Sequence, residues 1–198
     1  MIKSLKSAVM AGICIAIAGF GYLAIGGIFG AIVFAFGLIA VVSYKLKLYT
    51  GTAGFVETLD GKFCELGIIL LANIFGCLLV ALLSRVSPLG ITESAQKLLE
   101  GRLANGWWRC GLLAIGCGFI MTTAVNFARK DNWLPLLFGV PMFIVCGFPH
   151  SIADAFYYLA APASFLEANK IAVFVLYVSI VIGNFVGCNL YRLFIKND

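Results

Sequence analysis

Charge is scarce in this chain. Asp, Glu, Lys and Arg make up 12% of its 198 residues, about half the ~25% usual in a soluble domain, which excludes an ordinary water-soluble globule. Histidine is scarcer still, with His150 alone. The nine acidic residues, Glu57, Asp60, Glu65, Glu93, Glu100, Asp131, Asp154, Glu167 and Asp198, are scattered, mostly at the ends of apolar stretches. A protein metal site needs several His, Cys or carboxylate ligands converging on one point, so no metal is expected, no cofactor is implied and a membrane enzyme has no support. Seven cysteines, Cys14, Cys64, Cys77, Cys110, Cys117, Cys146 and Cys188, form an odd set without a CxxC pair. They read as small apolar helix residues, neither disulfides nor ligands. The net charge of +5 is spread over short loops with no interleaved aromatic patch, so nucleic acid is not expected as a partner.

What the chain has instead is apolar length. Hydrophobic residues reach 62% with a mean hydropathy of +1.04, in blocks running Ala8 to Val42, Leu66 to Leu83, Leu112 to Phe127, Leu134 to Ala161 and Ile171 to Leu190. A helix needs roughly 20 apolar residues to cross a bilayer, so the first and fourth blocks are long enough to contain a turn or an irregular segment. Six spans are expected: 8–25, 28–44 with a continuation over 50–58, 65–84, 108–127, 134–160 and 171–193. The fold class is therefore an all-α integral membrane protein, a single transmembrane domain over 1–198 in a lipid bilayer. The first span follows Met1-Ile2-Lys3-Ser4-Leu5-Lys6, which resembles the basic start of a signal peptide. The next apolar span follows almost at once, so a retained helix is expected. With a cytoplasmic N-terminus, seven basic residues fall inside (Lys3, Lys6, Lys62, Arg129, Lys130, Arg192, Lys196) and five outside (Arg85, Lys97, Arg102, Arg109, Lys170), Lys45 and Lys47 being left aside at the first break. This balance places both termini in the cytoplasm of a cell inner (plasma) membrane protein.

Two of the expected spans, the second and the fifth, are broken by polar or turn-forming residues, at Tyr49-Thr50-Gly51-Thr52 and at Gly147-Phe148-Pro149-His150-Ser151. Inside a bilayer, unwound backbone is tolerated where protein or a water-filled cavity satisfies its polar groups, so paired breaks indicate a path. The halves also resemble each other. Ala72-Asn73-Ile74-Phe75-Gly76-Cys77 matches Gly183-Asn184-Phe185-Val186-Gly187-Cys188 at an offset of 111, and the stretch from Ala11 to Phe20 matches Cys110 to Phe119 at an offset of 99. Three spans per half make the expected repeats inverted, at about 8–85 and 108–195, with the second and fifth helices broken. Asn73 and Asn184 are open to two readings: each bonds a neighbouring helix, or each lines the path. His150 likewise reads as a buried ring satisfied by backbone or as the titratable group on the path, and its place at a break favours the second.

These segments resemble those of the formate/nitrite transporter family, pentameric channels for formate, nitrite and hydrosulfide with an aquaporin-like protomer. Lys47-Leu48-Tyr49-Thr50-Gly51-Thr52 is similar to that family's ELFTGN loop, Gly147 to Asp154 to its GFEHSVAN, and Gly183-Asn184-Phe185-Val186-Gly187 to its GNxxGG. Trp107-Trp108 with Ala114-Ile115-Gly116-Cys117-Gly118 resembles the start of its fourth helix and its GILCN. A longer N-terminal amphipathic helix of the family is here reduced to a few residues. The resemblance implies a homopentamer in which Thr50 faces His150 at the centre of each protomer's pore. Phe34, Leu38, Leu48 and Phe143 then form apolar constrictions, Arg102 lends the outer vestibule a positive field, and Asn184 is a polar pore-side amide. Departures fall at Lys47 and Pro149 (glutamate in the family) and at Thr52 and Gly118 (asparagine).

On this reading the chain passes small monovalent anions of weak acids, or their conjugate acids, without being an enzyme. An anion gathered near Arg102 takes a proton close to His150 and crosses the neck as a neutral acid, since a bare charge between apolar side chains is costly. Either the imidazole gives the proton, or it stays neutral and water supplies it. Lys47, if close, would disfavour a charged ring. A neutral small-solute channel of urea or water type is the alternative, and it requires no central titratable group.

Overall fold

The computed structural model describes residues 2–54 and 62–194. Among them nine helices and no strand are found: α1 (Ile2–Ile25), α2 (Gly27–Ser43), α3 (Tyr49–Ala53), α4 (Lys62–Ser84), α5 (Ile91–Asn105), α6 (Trp107–Ala128), α7 (Leu134–Val145), α8 (Ser151–Ala160) and α9 (Ala163–Phe194). Stretches Lys3–Ile25, Cys64–Ser84, Trp107–Ala128 and Ala163–Arg192 are long and apolar enough to cross a bilayer, while α2 and α7 are apolar but shorter. The expected second and fifth spans are indeed interrupted: α2 gives way to α3 through 44–48, and α7 to α8 through 146–150. Beyond residue 54 the continuation expected to 58 lies outside the described residues, as do Glu57, Asp60, Lys196, Asp198 and the expected repeat boundary at 195.

Three boundaries differ from the sequence reading. The first helix begins six residues earlier than expected, at Ile2, and the last begins at Ala163, ahead of Ile171. Charged and small residues at these ends suit a helix that emerges from the apolar layer. The third difference is α5, which no expected span covers. It is too polar to register as a membrane helix, yet Ile91, Ala95 and Leu99, one turn apart, are buried against the bundle.

α1 lies along α4 and α6 lies along α9, and α2 and α7 each pack on the helix preceding them. The two short helices cross over: α3 packs on α6, α9 and α4, whereas α8 packs on α4, α1, α5 and α9. The long pairs approach to backbone contact because glycine faces backbone. A Cβ on Gly76 would stand 2.2 Å from the Val9 carbonyl oxygen, and one on Gly187 2.0 Å from that of Ile115. Small residues permit this approach where no hydrophobic effect drives helices together in lipid. The same geometry explains Gly118, which stands where the resembled family has asparagine. Any Cβ there would lie 2.2 Å from the Asn184 carbonyl oxygen, so an asparagine side chain has no room between α6 and α9.

Candidate functional site

The site is built where two helices start inside the bundle. The chain leaves α2 through Lys45, whose φ is 51°, and reaches Leu48 in extended conformation, which caps α3. In the other half Gly147, with φ of 71°, reverses the chain after α7, and His150, also extended, caps α8. Thr50 in the first turn of α3 and His150 ahead of α8 thus converge, 0% and 1% exposed, with Thr50 Oγ1 and His150 Nε2 2.9 Å apart.

The other ring nitrogen assigns the proton. His150 Nδ1 accepts a hydrogen bond from the Ala153 backbone N–H at 3.2 Å, as an N-cap side chain does. A nitrogen that accepts carries no proton, so in the neutral ring the hydrogen sits on Nε2 and is donated to Thr50 Oγ1. One face of the imidazole is stacked on Phe143 (centroids 5.7 Å, 25°), and Phe34 meets Phe143 edge-on (6.0 Å, 89°). Leu38 follows Phe34 by one turn of α2, and both it and Leu48 are buried in the same core. Thr50, His150, Phe143 and Phe34 therefore form one continuous group from polar pair to aromatic plug.

Both asparagine side chains are bonded to backbone. Asn184 Oδ1 accepts from the Ser151 backbone N–H at 2.7 Å, and its Nδ2 donates to the carbonyls of Ala114 at 2.8 Å and Pro149 at 3.0 Å. Asn73 repeats the pattern, accepting from Tyr49 N–H at 2.8 Å and donating to Ala8 at 2.7 Å and Lys47 at 3.0 Å. Each amide ties one break to one long helix. Asn184, expected as a pore-side amide, has its carbonyl and both amide hydrogens engaged by backbone. Cysteines complete the pattern: the Cys188 thiol donates to the Thr50 carbonyl at 3.4 Å and Cys77 to that of Ile152 at 3.4 Å.

Arg102, carried by the unexpected α5, reaches the second break. Its Nε donates to Asp154 Oδ1 at 3.1 Å and an NH1 hydrogen goes to the Gly147 carbonyl. Asp154 Oδ2 in turn accepts from the His150 backbone N–H at 2.9 Å. Burial by itself would lower the Arg102 guanidinium, but the charge and hydrogen bond of Asp154 outweigh it and hold the group above its ordinary value. In the sequence Asp154 is one of the scattered acids and the end of the Gly147 to Asp154 segment, with no sign of its two partners, which lie four and fifty-two residues away.

At the first break the Lys47 ammonium is paired with Glu65 on α4, which offsets its charge. A cavity of about 750 Å³ lies beside this break, lined in part by Lys45, Lys47, Gly51, Thr52 and Arg129, and Arg129 donates to the Gly51 carbonyl at 3.2 Å. Arg129 entered the sequence reading as a loop charge alone. Among the described residues no group of three or more His, Cys, Asp or Glu side chains gathers into a metal-binding set.

A family model described as formate/nitrite transporter matches residues 1–195. A protein of Bacillus subtilis (strain 168) described as the uncharacterized transporter YrhG is 30% identical over 156 residues, which is 69% of this chain and 58% of that relative's length. Among solved structures, a pentameric formate channel with formate bound aligns with a TM-score of 0.78 at 22% identity, over 96% of this chain and 94% of that one. An FNT family ion channel aligns with a TM-score of 0.75 at 17% identity, over 96% and 87%.

Proposed function

The chain belongs to the formate/nitrite transporter family, and from this we propose that it is a channel for small monovalent anions of weak acids, formate, nitrite or hydrosulfide, that cross its neck in protonated form. It is a multi-pass membrane protein, and we place both termini in the cytoplasm. The single domain over 1–198 is read as two inverted three-helix repeats, about 8–85 and 108–195. The matched ties of Asn73 and Asn184 and the crossed packing of α3 and α8 support that reading. Five protomers, each with its own pore, are proposed by analogy with the pentameric formate channel.

One observation carries the proposal: a hydroxyl and an imidazole, one from each break, meet at 2.9 Å in a buried position against Phe143. A charged solute at such a depth costs roughly 3 kcal/mol or more. A neutral acid avoids most of that cost. The hydrogen bonds of the ring favour one source of the proton over the other. With Nδ1 engaged by Ala153, the neutral ring has one hydrogen, on Nε2, and giving it up would leave an imidazolate. The proton is therefore read as coming from water in the vestibule. The ring polarises Thr50, whose hydroxyl hydrogen is offered to the anion as it takes up that proton. Phe34, Leu38, Leu48 and Phe143 then keep bulk water from following.

The test is flux against pH. Formate is a simple carboxylate, and above a carboxyl pKa of about 4 its neutral fraction falls tenfold per pH unit. In proteoliposomes, initial formate uptake over empty vesicles is expected to fall by about that factor per unit from pH 5 to 7. Equal flux through loaded and empty vesicles for formate, nitrite and hydrosulfide refutes the proposal. Passage of urea or water, with no response to pH, would assign the neutral-solute function instead.

A further inference from the structure

We propose that Asp154 is the counter-ion that cancels the field of Arg102, so that this residue sets how strongly the α8 side of the channel draws anions. The inference rests on the channel reading above. Arg102 was expected to gather anions by its positive charge, yet its guanidinium is bonded to a carboxylate at 3.1 Å, the two side chains being 17% and 1% exposed. The other groups acting on the guanidinium, Tyr158 and Cys110, are of types that are uncharged at neutral pH. A pair this close presents a dipole to an approaching solute, and a dipole's field falls off faster than that of a single charge.

The carboxylate is also placed to stay. One oxygen holds Arg102 and the other holds the His150 backbone N–H, while Arg102 anchors the Gly147 carbonyl. Arg102 and Asp154 are thus positioning residues that fix both ends of the break preceding α8. Their charges offset each other, and anion attraction on this side is left to what remains. A neutral acid is disfavoured by nothing in this arrangement.

The experiment compares three variants in proteoliposomes at low and high salt, reading the formate concentration for half-maximal uptake. Asp154→Asn uncovers Arg102 and is expected to lower that concentration about three- to tenfold at low ionic strength, an effect lost near 0.5 M salt, where the screening length is only a few ångströms. Arg102→Gln leaves Asp154 unopposed and raises it by a similar factor. Arg102→Gln/Asp154→Asn, with both charges removed and an amide pair in their place, falls between the two. The proposal is overturned if Asp154→Asn assembles and leaves half-saturation and its salt dependence unchanged or raised, or if the double variant behaves as Arg102→Gln does. Should Asp154→Asn not assemble, the comparison of Arg102→Gln with the double variant decides. The same order is expected in the formate-dependent rise of thermal midpoint, which needs no transport. A wild-type protein that carries no formate would therefore defeat the channel reading while this inference is still judged on binding.

Discussion

His150→Ala is expected to lower formate flux by at least an order of magnitude and to lower the thermal midpoint, and His150→Asn to restore much of the stability without the flux. The reason is that the imidazole does two separable things. Nδ1 accepts the Ala153 N–H at the start of α8, and Nε2 bonds Thr50 from the other half. Alanine leaves both partners buried and unpaired, at about 1–3 kcal/mol for each orphaned group. Asparagine is a good N-cap and satisfies Ala153 again, but its shorter side chain cannot reach Thr50. Thermal unfolding of purified protein and stopped-flow uptake from the same preparation separate the two effects. Wild-type flux in a fully assembled His150→Asn would show that the ring is only a cap.

How far the sequence reached follows from what each feature depends on. The broken second and fifth segments were legible because polar residues inside an apolar block have few explanations in a bilayer. The meeting of Thr50 with His150 was legible only through the resemblance, since nothing in either segment alone names its partner across 100 residues. The helix α5 has no signature in apolar length, the feature that marks the other long helices. Its buried turn-by-turn series Ile91, Ala95, Leu99 was in plain view, and it would have placed Arg102 on a helix instead of a loop. The pairs Arg102 with Asp154 and Lys47 with Glu65 are tertiary facts without a local signature, and both altered the electrostatics inferred from single residues. Gly118 shows the reverse case: what looked like a lost polar group is a requirement of the α6 to α9 approach.

Asn184→Leu is expected to abolish assembled protein or lower its thermal midpoint by far more than any substitution at Thr50, and Asn73→Leu should match it. Leucine keeps the branch at Cγ but is larger than asparagine, so at a fully buried position crowding adds to the polar loss. The substitution strips partners from the Ser151 N–H and from the carbonyls of Ala114 and Pro149. The Ala114 carbonyl keeps its place in the hydrogen bonding of α6, but the Ser151 N–H and the Pro149 carbonyl lose the partner that the amide gave them, and two such groups at about 1–3 kcal/mol each are a large part of the ~5–15 kcal/mol that holds a typical domain together. Asn184→Asp sharpens the argument, because it keeps the acceptor for Ser151 but turns a donor into an oxygen facing two carbonyls. If the amide serves as a tie, aspartate is nearly as damaging as leucine. Were it instead a group bathed by the solute, aspartate would fold normally and alter only anion flux. Size-exclusion profiles and thermal midpoints of the four proteins, wild type included, distinguish these outcomes. Equal damage at positions 73 and 184 would further show that the two breaks are held by the same device, as the matched bond lengths require.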